Sequence, residues 1–128
     1  LITLNLTFYS GIDEKGNPVI NRNTINNIYK DAAEGPQRDM VVFSDKQNVS
    51  SDLMGYKAAV VIEGHETHTR TGFIKLPIES LAKYGVQAAN EINIPVTHVK
   101  IFGWYDNEFG SYVNFLTRLV NHVDASLK

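Results

Sequence analysis

The residues best suited to chemistry in this chain form one short segment near its carboxyl end, residues 103–110 (GWYDNEFG). The segment joins an apolar strand pattern to an apolar helical pattern, and such junctions often hold binding or catalytic groups because rigid elements flank them. Within it, the amide of Asn107 offers both donors and an acceptor, so it can pair with another amide on a planar ligand. The alternative is that Asn107 only accommodates a left-handed turn.

Two carboxylates, Asp106 and Glu108, flank Asn107 in this segment. Carboxylate pairs can perform acid–base catalysis when one of them lies within reach of the reacting proton. Here an amide separates the two, so we interpret them as groups that position Asn107. We therefore predict no catalytic residue within the chain.

The sequence His65-Glu66-Thr67-His68 is the pattern that suggests a metal site. Zinc proteases use His-Glu-x-x-His on a helix, which places both histidines on one face, whereas on a strand His65 and His68 would point to opposite faces. An exposed polar hairpin is the simpler interpretation, and metal binding is the alternative. Arg70, flanked by threonines, could bind an anion such as phosphate, but a solvated strand face is favoured.

Composition limits what the chain can be. Its 128 residues, 43% hydrophobic and 20% charged, fit one soluble domain, and a formal charge of −2 gives no reason to expect nucleic acid or an anionic membrane as partner. No apolar run is long enough to span a bilayer, so a cytoplasmic location is expected. The absence of cysteine excludes disulfides, thiolate metal sites and any thiol nucleophile from this chain.

Hydrophobic periodicity predicts the elements that must position the junction. Alternation over residues 2–8 predicts a strand with Thr3, Asn5 and Thr7 on its polar face, and a chain that opens inside a strand is typical of a piece of a longer protein. Residues 21–35 predict a helix capped by Asn21 and closed by Gly35, with Ile25, Ile28, Tyr29, Ala32 and Ala33 as its apolar stripe. The middle of the chain predicts core strands at 40–43 and 58–62, an edge strand or extended loop at 47–52, and a solvent-facing strand at 66–76. One or two helical turns are predicted within 77–89, with Val86 on their apolar side, and a strand at 92–102. The last element is a helix capped by Ser111, and its apolar stripe consists of Val113, Leu116, Val120, Val123 and Leu127.

Several strands and two clear helices, not in strict alternation, predict an α+β fold with a mixed, mostly antiparallel sheet and helices on one face. The polar side of the first strand suggests that the other face is polar or contacts something else, such as another subunit. All 128 residues are assigned to a single domain.

Several segments, in the correct order, resemble phosphorylating glyceraldehyde-3-phosphate dehydrogenases. The junction is similar to that family's Trp-Tyr-Asp-Asn-Glu segment with its following glycine. Matches at both ends and in the middle of the chain are more specific than any one of them. The other similar segments are residues 4–7 (LNLT), 32–35 (AAEG) and 49–52 (VSSD) with Gly55.

The resemblance implies that this is the C-terminal part of the catalytic domain of an NAD-dependent, homo-oligomeric (tetrameric) enzyme of glycolysis. It implies that Asn107 holds the nicotinamide carboxamide and that Tyr112 lines the same pocket. The family's tyrosine directly follows the Asn-Glu-x-Gly unit, whereas this chain has Ser111 there and Tyr112 one position later. Residues 55–102 also form a longer region than the corresponding region of common family members. NADP stays open as an alternative cofactor, because the residues that discriminate NAD from NADP lie elsewhere in the family's enzymes.

The same resemblance places the nucleophilic cysteine, its histidine and the Rossmann NAD-binding domain before this region. The chain itself has neither a cysteine nor a Gly-rich phosphate loop, so we expect it to be catalytically silent alone and to work with the rest of a parent enzyme. The alternative function is a non-catalytic module for self-association or partner binding through the polar sheet face.

Overall fold

One long strand organises the fold. The computed structural model describes residues 1–85 and 91–128 and shows an α+β arrangement, as predicted, with a five-stranded mixed sheet. The elements in chain order are β1 (Ile2–Tyr9), α1 (Arg22–Glu34), β2 (Val41–Ser44), a 3₁₀ turn (Ser50–Leu53), β3 (Val60–Glu63), a second 3₁₀ turn (Gly64–Glu66), β4 (His68–Leu76), α2 (Ile78–Ala82), β5 (Ile92–Trp104) and α3 (Ser111–Ser126).

β5 pairs along both of its edges. β1 runs antiparallel along one edge, from Ile2 opposite Gly103 to Tyr9 opposite Val96. On the other edge, β4 pairs antiparallel over the first part of β5, and β3 pairs antiparallel at Gly103 and Trp104. β2 extends the sheet beyond β3 in parallel. The strand that leads into the junction is therefore paired with β1 as far as Gly103 and with β3 at its last residue, Trp104.

The core lies between α1 and one face of the sheet. Because paired residues share a face, Ile101 and Val99 of β5 lie on the same side as Leu4 and Leu6 of β1. The central residues Ile25, Ile62, Val99 and Ile101 are at most 9% exposed. The half-buried residues that pack around them are Phe8, Ile20, Tyr29, Val41, Phe43 and Val60.

α1 begins and ends where the sequence predicts. The side chain of Asn21 accepts hydrogen bonds from the backbone amides of Asn23 and Thr24, and the Thr24 hydroxyl closes a capping box. The predicted stripe is wrong at Ile28, which is 57% exposed. Asn26 is buried in place of an apolar residue because its amide donates to the carbonyl of Gly64.

Of the two alternatives predicted for residues 47–52, an edge strand or an extended loop, the structure shows the loop. Those residues form a loop that ends in the 3₁₀ turn Ser50–Leu53. The carboxylate of Asp52 accepts a hydrogen bond from the Val49 amide at 2.9 Å, and the Asp52 amide donates to the Val49 carbonyl. This local pairing satisfies the backbone groups that a strand would have presented to a neighbour.

The last helix also departs from expectation. Gly110, not Ser111, occupies the cap position of α3, and Ser111 is its first helical residue. The apolar stripe of α3 does not join the core. Its members are 48–82% exposed: Val113, Leu116, Val120, Val123 and Leu127.

Helix α2 covers part of the predicted helical region, whereas Val86 and the rest of the prediction up to residue 89 lie outside the described residues. Within the described ranges, no helix combines the length and the apolar character that crossing a bilayer would require.

Candidate functional site

The loop between β5 and α3 is organised by the carboxylate of Asp106. One of its oxygens accepts hydrogen bonds from the backbone amides of Glu108 at 2.9 Å and Phe109 at 3.2 Å. The other accepts from the amide of Gly55 at 2.7 Å, in a distant part of the chain. Asp106 thus folds the loop over Asn107 and ties it to the segment that follows the first 3₁₀ turn.

These contacts stabilise the ionised form of Asp106. Donation by the Gly55 amide, followed by the amides of Glu108 and Phe109, lowers the pKa of Asp106 from its ordinary value of 3.8. A carboxylate that is ionised and fully used as an acceptor is a poor proton donor at neutral pH. The geometry therefore indicates that Asp106 positions the loop and does not act as an acid–base catalyst.

The start of α3 is locked to the loop by close backbone approach. The hydroxyl of Ser111 donates to the carbonyl of Asp106 at 2.7 Å, and Ser111 is fully buried. A side chain at Gly110 would overlap the carbonyl oxygen of Tyr56. Only glycine lets the two backbone segments come this close.

The beginning of the loop is anchored from behind by a buried carboxylate. The indole N–H of Trp104 donates to Glu63 Oε2 at 2.8 Å. Glu63, at the end of β3, is 3% exposed and also accepts two hydrogen bonds from Asn48. Glu63 was not among the candidate residues predicted from the sequence. An acid directly after the buried run of β3 was the available signal.

A cleft of about 230 Å³ lies against the loop. Asn107 lines it and its side chain is exposed, so the structure places the strongest candidate in a position open to a ligand. The other lining residues are Leu1, Ser50, Leu53, Met54, Trp104, Tyr105, Asp106, Glu108 and Phe109.

Tyr112, the second expected cofactor contact, is placed differently. It lies on the first turn of α3 and is 61% exposed, and its ring centre is 5.7 Å from that of Tyr105, which lines the cleft. The described residues that line the cleft do not include Tyr112. It therefore neighbours the cleft through Tyr105.

The histidine pattern forms a small exposed cluster. Glu66 lies between the two histidines, with one oxygen 3.2 Å from His65 Nδ1 and the other 4.0 Å from His68 Nε2. Across the described ranges, no group of three or more histidine, cysteine or acidic side chains is arranged to hold a metal ion. Arg70 is exposed on β4, opposite His98 of β5.

Comparisons with known proteins point to one enzyme. The chain is 29% identical over 86 residues to glyceraldehyde-3-phosphate dehydrogenase 2 of Nostoc sp., which covers 67% of this chain and 18% of that protein. It is 30% identical over 105 residues to glyceraldehyde-3-phosphate dehydrogenase of Mycobacterium leprae, covering 82% of this chain and 23% of that protein. The chain thus spans less than a quarter of the length of these relatives.

A family described as "Protein of unknown function (DUF1659)" matches residues 2–35, which include β1 and α1. That description adds no activity. The similarities to the longer proteins relate this chain to a region of glyceraldehyde-3-phosphate dehydrogenase and, through it, to an oxidoreductase.

Proposed function

We propose that this chain is the C-terminal part of the catalytic domain of a cytoplasmic, NAD-dependent phosphorylating glyceraldehyde-3-phosphate dehydrogenase. In it, the loop between β5 and α3 positions the nicotinamide ring, and Asn107 holds the ring's carboxamide. The observation that carries this proposal is the exposed amide of Asn107 in a cleft whose loop is fixed independently by Asp106 and Trp104.

The chemistry of Asn107 fits a carboxamide. A primary amide can donate to the carbonyl of another amide and accept from its NH₂ group, which fixes both the position and the rotation of a planar ring. Asp106 takes the loop amides as its own partners, so it leaves the Asn107 side chain free to face a ligand. A rigid loop also reduces the ordering cost of binding.

The size of the cleft limits the ligand to part of the cofactor. At about 230 Å³ it is smaller than the roughly 300–1,000 Å³ of pockets that enclose whole drug-sized ligands. NAD, when bound, supplies the hydride acceptor. The pyrophosphate has no Gly-rich loop to bind in this chain, so the rest of the parent enzyme holds it, together with the thiol chemistry and a homo-oligomeric assembly.

The test is a titration of the ¹⁵N-labelled chain with nicotinamide, followed by NMR. A ring held by one amide and one cleft should bind with a Kd of about a millimolar. The amide resonances of residues 105–109 should move, and Asn107→Ala should weaken binding by about tenfold, the equivalent of one or two lost hydrogen bonds.

Two further variants sharpen the titration. Asn107→Asp keeps the shape of the side chain but removes its donors, so it should weaken binding nearly as much as alanine does. Asn27→Ala, at an exposed position of α1, is the matched control and should bind as the unmodified chain does. Equal affinity of Asn107→Ala and Asn27→Ala would contradict the proposal.

A second candidate function, self-association, is favoured by the open sheet face. Thr3, Asn5 and Thr7 are exposed on the side of β1 that faces away from α1, and Asn5 lies directly opposite Lys100. The mass in solution, measured by light scattering, tests it. If a dimer forms through this face, Asn5→Arg should return it to a monomer by like-charge repulsion. A dimer that survives this change would exclude the face, and a monomeric chain would exclude the candidate function.

A further inference from the structure

Glu63 is a buried acid without an ionic partner among the described residues. It is 3% exposed, and the salt bridges formed within the described ranges do not include it. Acidic side chains are almost never fully buried unless they are paired. Its burial must be offset by hydrogen bonds, so the donors of those bonds identify the segments of the chain that Glu63 connects.

Three donors converge on the carboxylate from two different parts of the chain. The backbone amide of Asn48 donates to Oε1 at 3.2 Å, and the side-chain amide of Asn48 donates to Oε2 at 2.9 Å. The indole N–H of Trp104 donates to the same Oε2 at 2.8 Å. Bonds to an ionised acceptor are the stronger kind, and together they take up both oxygens.

The two anchored segments both lead into residues that line the cleft. Trp104 is the last residue of β5, lines the cleft itself and comes three residues before Asn107. Asn48 leads into the 3₁₀ turn, whose residues Ser50 and Leu53 line the same cleft. The ladder between β3 and β5 has two residue pairs, at Gly103 and Trp104, so the side-chain bond from Glu63 supplements a short backbone connection.

We infer that Glu63 is a positioning residue that fixes the two segments lining the cleft relative to each other and, through Trp104, the place of Asn107. This inference rests on the proposed nicotinamide function of the cleft. Its structural content can be measured without any ligand, so the two can fail separately. The strength of the bond from the indole to the carboxylate, not the bulk of Glu63, is what the loop depends on.

The chain contains a single tryptophan, which gives a direct spectroscopic signal. In the ¹⁵N-labelled chain the one indole N–H resonance should move upfield in Glu63→Ala, with changes in the backbone amides of residues 105–109. In Glu63→Gln, which keeps an acceptor oxygen, the indole resonance and the backbone amide resonances should lie closer to their positions in the unmodified chain. Trp104→Phe keeps an aromatic ring but removes the donor, so it tests the same bond in a second way if Glu63→Ala fails to fold.

Nicotinamide titration then connects the network to binding. Glu63→Ala should weaken nicotinamide binding by about tenfold, since a bond to a charged group is lost, and Glu63→Gln should recover most of the affinity. Ile25→Val trims the core under α1 without touching the junction and should leave the affinity unchanged.

Distinct results overturn the inference and the proposed function. Unchanged resonances of residues 105–109 in folded Glu63→Ala would overturn the inference, whether or not nicotinamide binds. The inference would also fail if Ile25→Val weakened binding as much as Glu63→Ala does. A chain that binds no nicotinamide, but whose loop resonances move in Glu63→Ala and recover in Glu63→Gln, would reject the proposed function and support Glu63 as the residue that positions the loop.

Discussion

Neighbouring polar residues in the junction loop have separate tasks because their surroundings differ. Asp106 has its oxygens occupied by three backbone amides, whereas the side chain of Asn107 is exposed beside the cleft. The sequence predicted that the carboxylates would position Asn107, and the contacts of Asp106 show how it can do so. The amide partner at Gly55 could not be predicted, because it lies 51 positions away and depends on how the loop folds back.

Asp106→Asn should destabilise the chain at neutral pH and flatten its acid response. Because the pKa of Asp106 is lowered in the folded state, the carboxylate contributes stability above the unfolded value of 3.8 that is lost as pH falls through the folded pKa. The asparagine keeps one acceptor oxygen but does not titrate. Urea denaturation of both forms from pH 7 to pH 2 measures the difference.

The two unfolding free energies should converge at the acid end of that series. A difference that stayed constant over the whole range would contradict the assignment of an ionised, amide-bonded Asp106.

At the scale of elements, the local signals of α1 were reliable, whereas the cap of α3 was misplaced by one residue. α1 was predicted from Asn21 to Gly35 because its cap and its stop depend on neighbouring residues only. For residues 47–52 the sequence left an edge strand and a loop open, because periodicity does not reveal the local turn that Asp52 closes. Asn107 was a candidate from the sequence and lines the cleft, whereas Glu63 was not a candidate, because its contact with Trp104 spans 41 positions.

Gly110→Ala should disrupt the connection of β5 to α3. The added methyl group would overlap the backbone of Tyr56, which cannot rotate away, and overpacking of this kind costs about 1–3 kcal/mol. The free energy of unfolding from urea denaturation measures the loss.

Gly72→Ala is the matched control, since a Cβ at that position of β4 meets nothing within 4 Å. It should change the free energy of unfolding by less than about 0.5 kcal/mol. Equal losses in the two variants would show that close approach is not what requires glycine at position 110.

In the proposed function, the whole molecule is a scaffold that positions the nicotinamide ring. β5 is paired along both edges and leads into the loop at the cleft, and the apolar stripe of α3 is an exposed surface that a partner could cover. The relatives extend far beyond the length of this chain.

The chain alone should show no dehydrogenase activity. Without cysteine it cannot form the thiol adduct that precedes hydride transfer, so glyceraldehyde 3-phosphate, NAD and phosphate should yield no NADH above background at 340 nm. NADH formation that persists after thiol-blocking treatment and repeated purification would contradict this account.

The most direct measurement is the set of intermolecular nuclear Overhauser effects between nicotinamide and the ¹⁵N-labelled chain. We expect contacts from the protons of the nicotinamide carboxamide to the side-chain NH₂ of Asn107, and from the ring protons to Trp104 and Tyr105. Contacts confined to other parts of the chain, such as the open face of β1 or the stripe of α3, would contradict the claim that this loop positions nicotinamide.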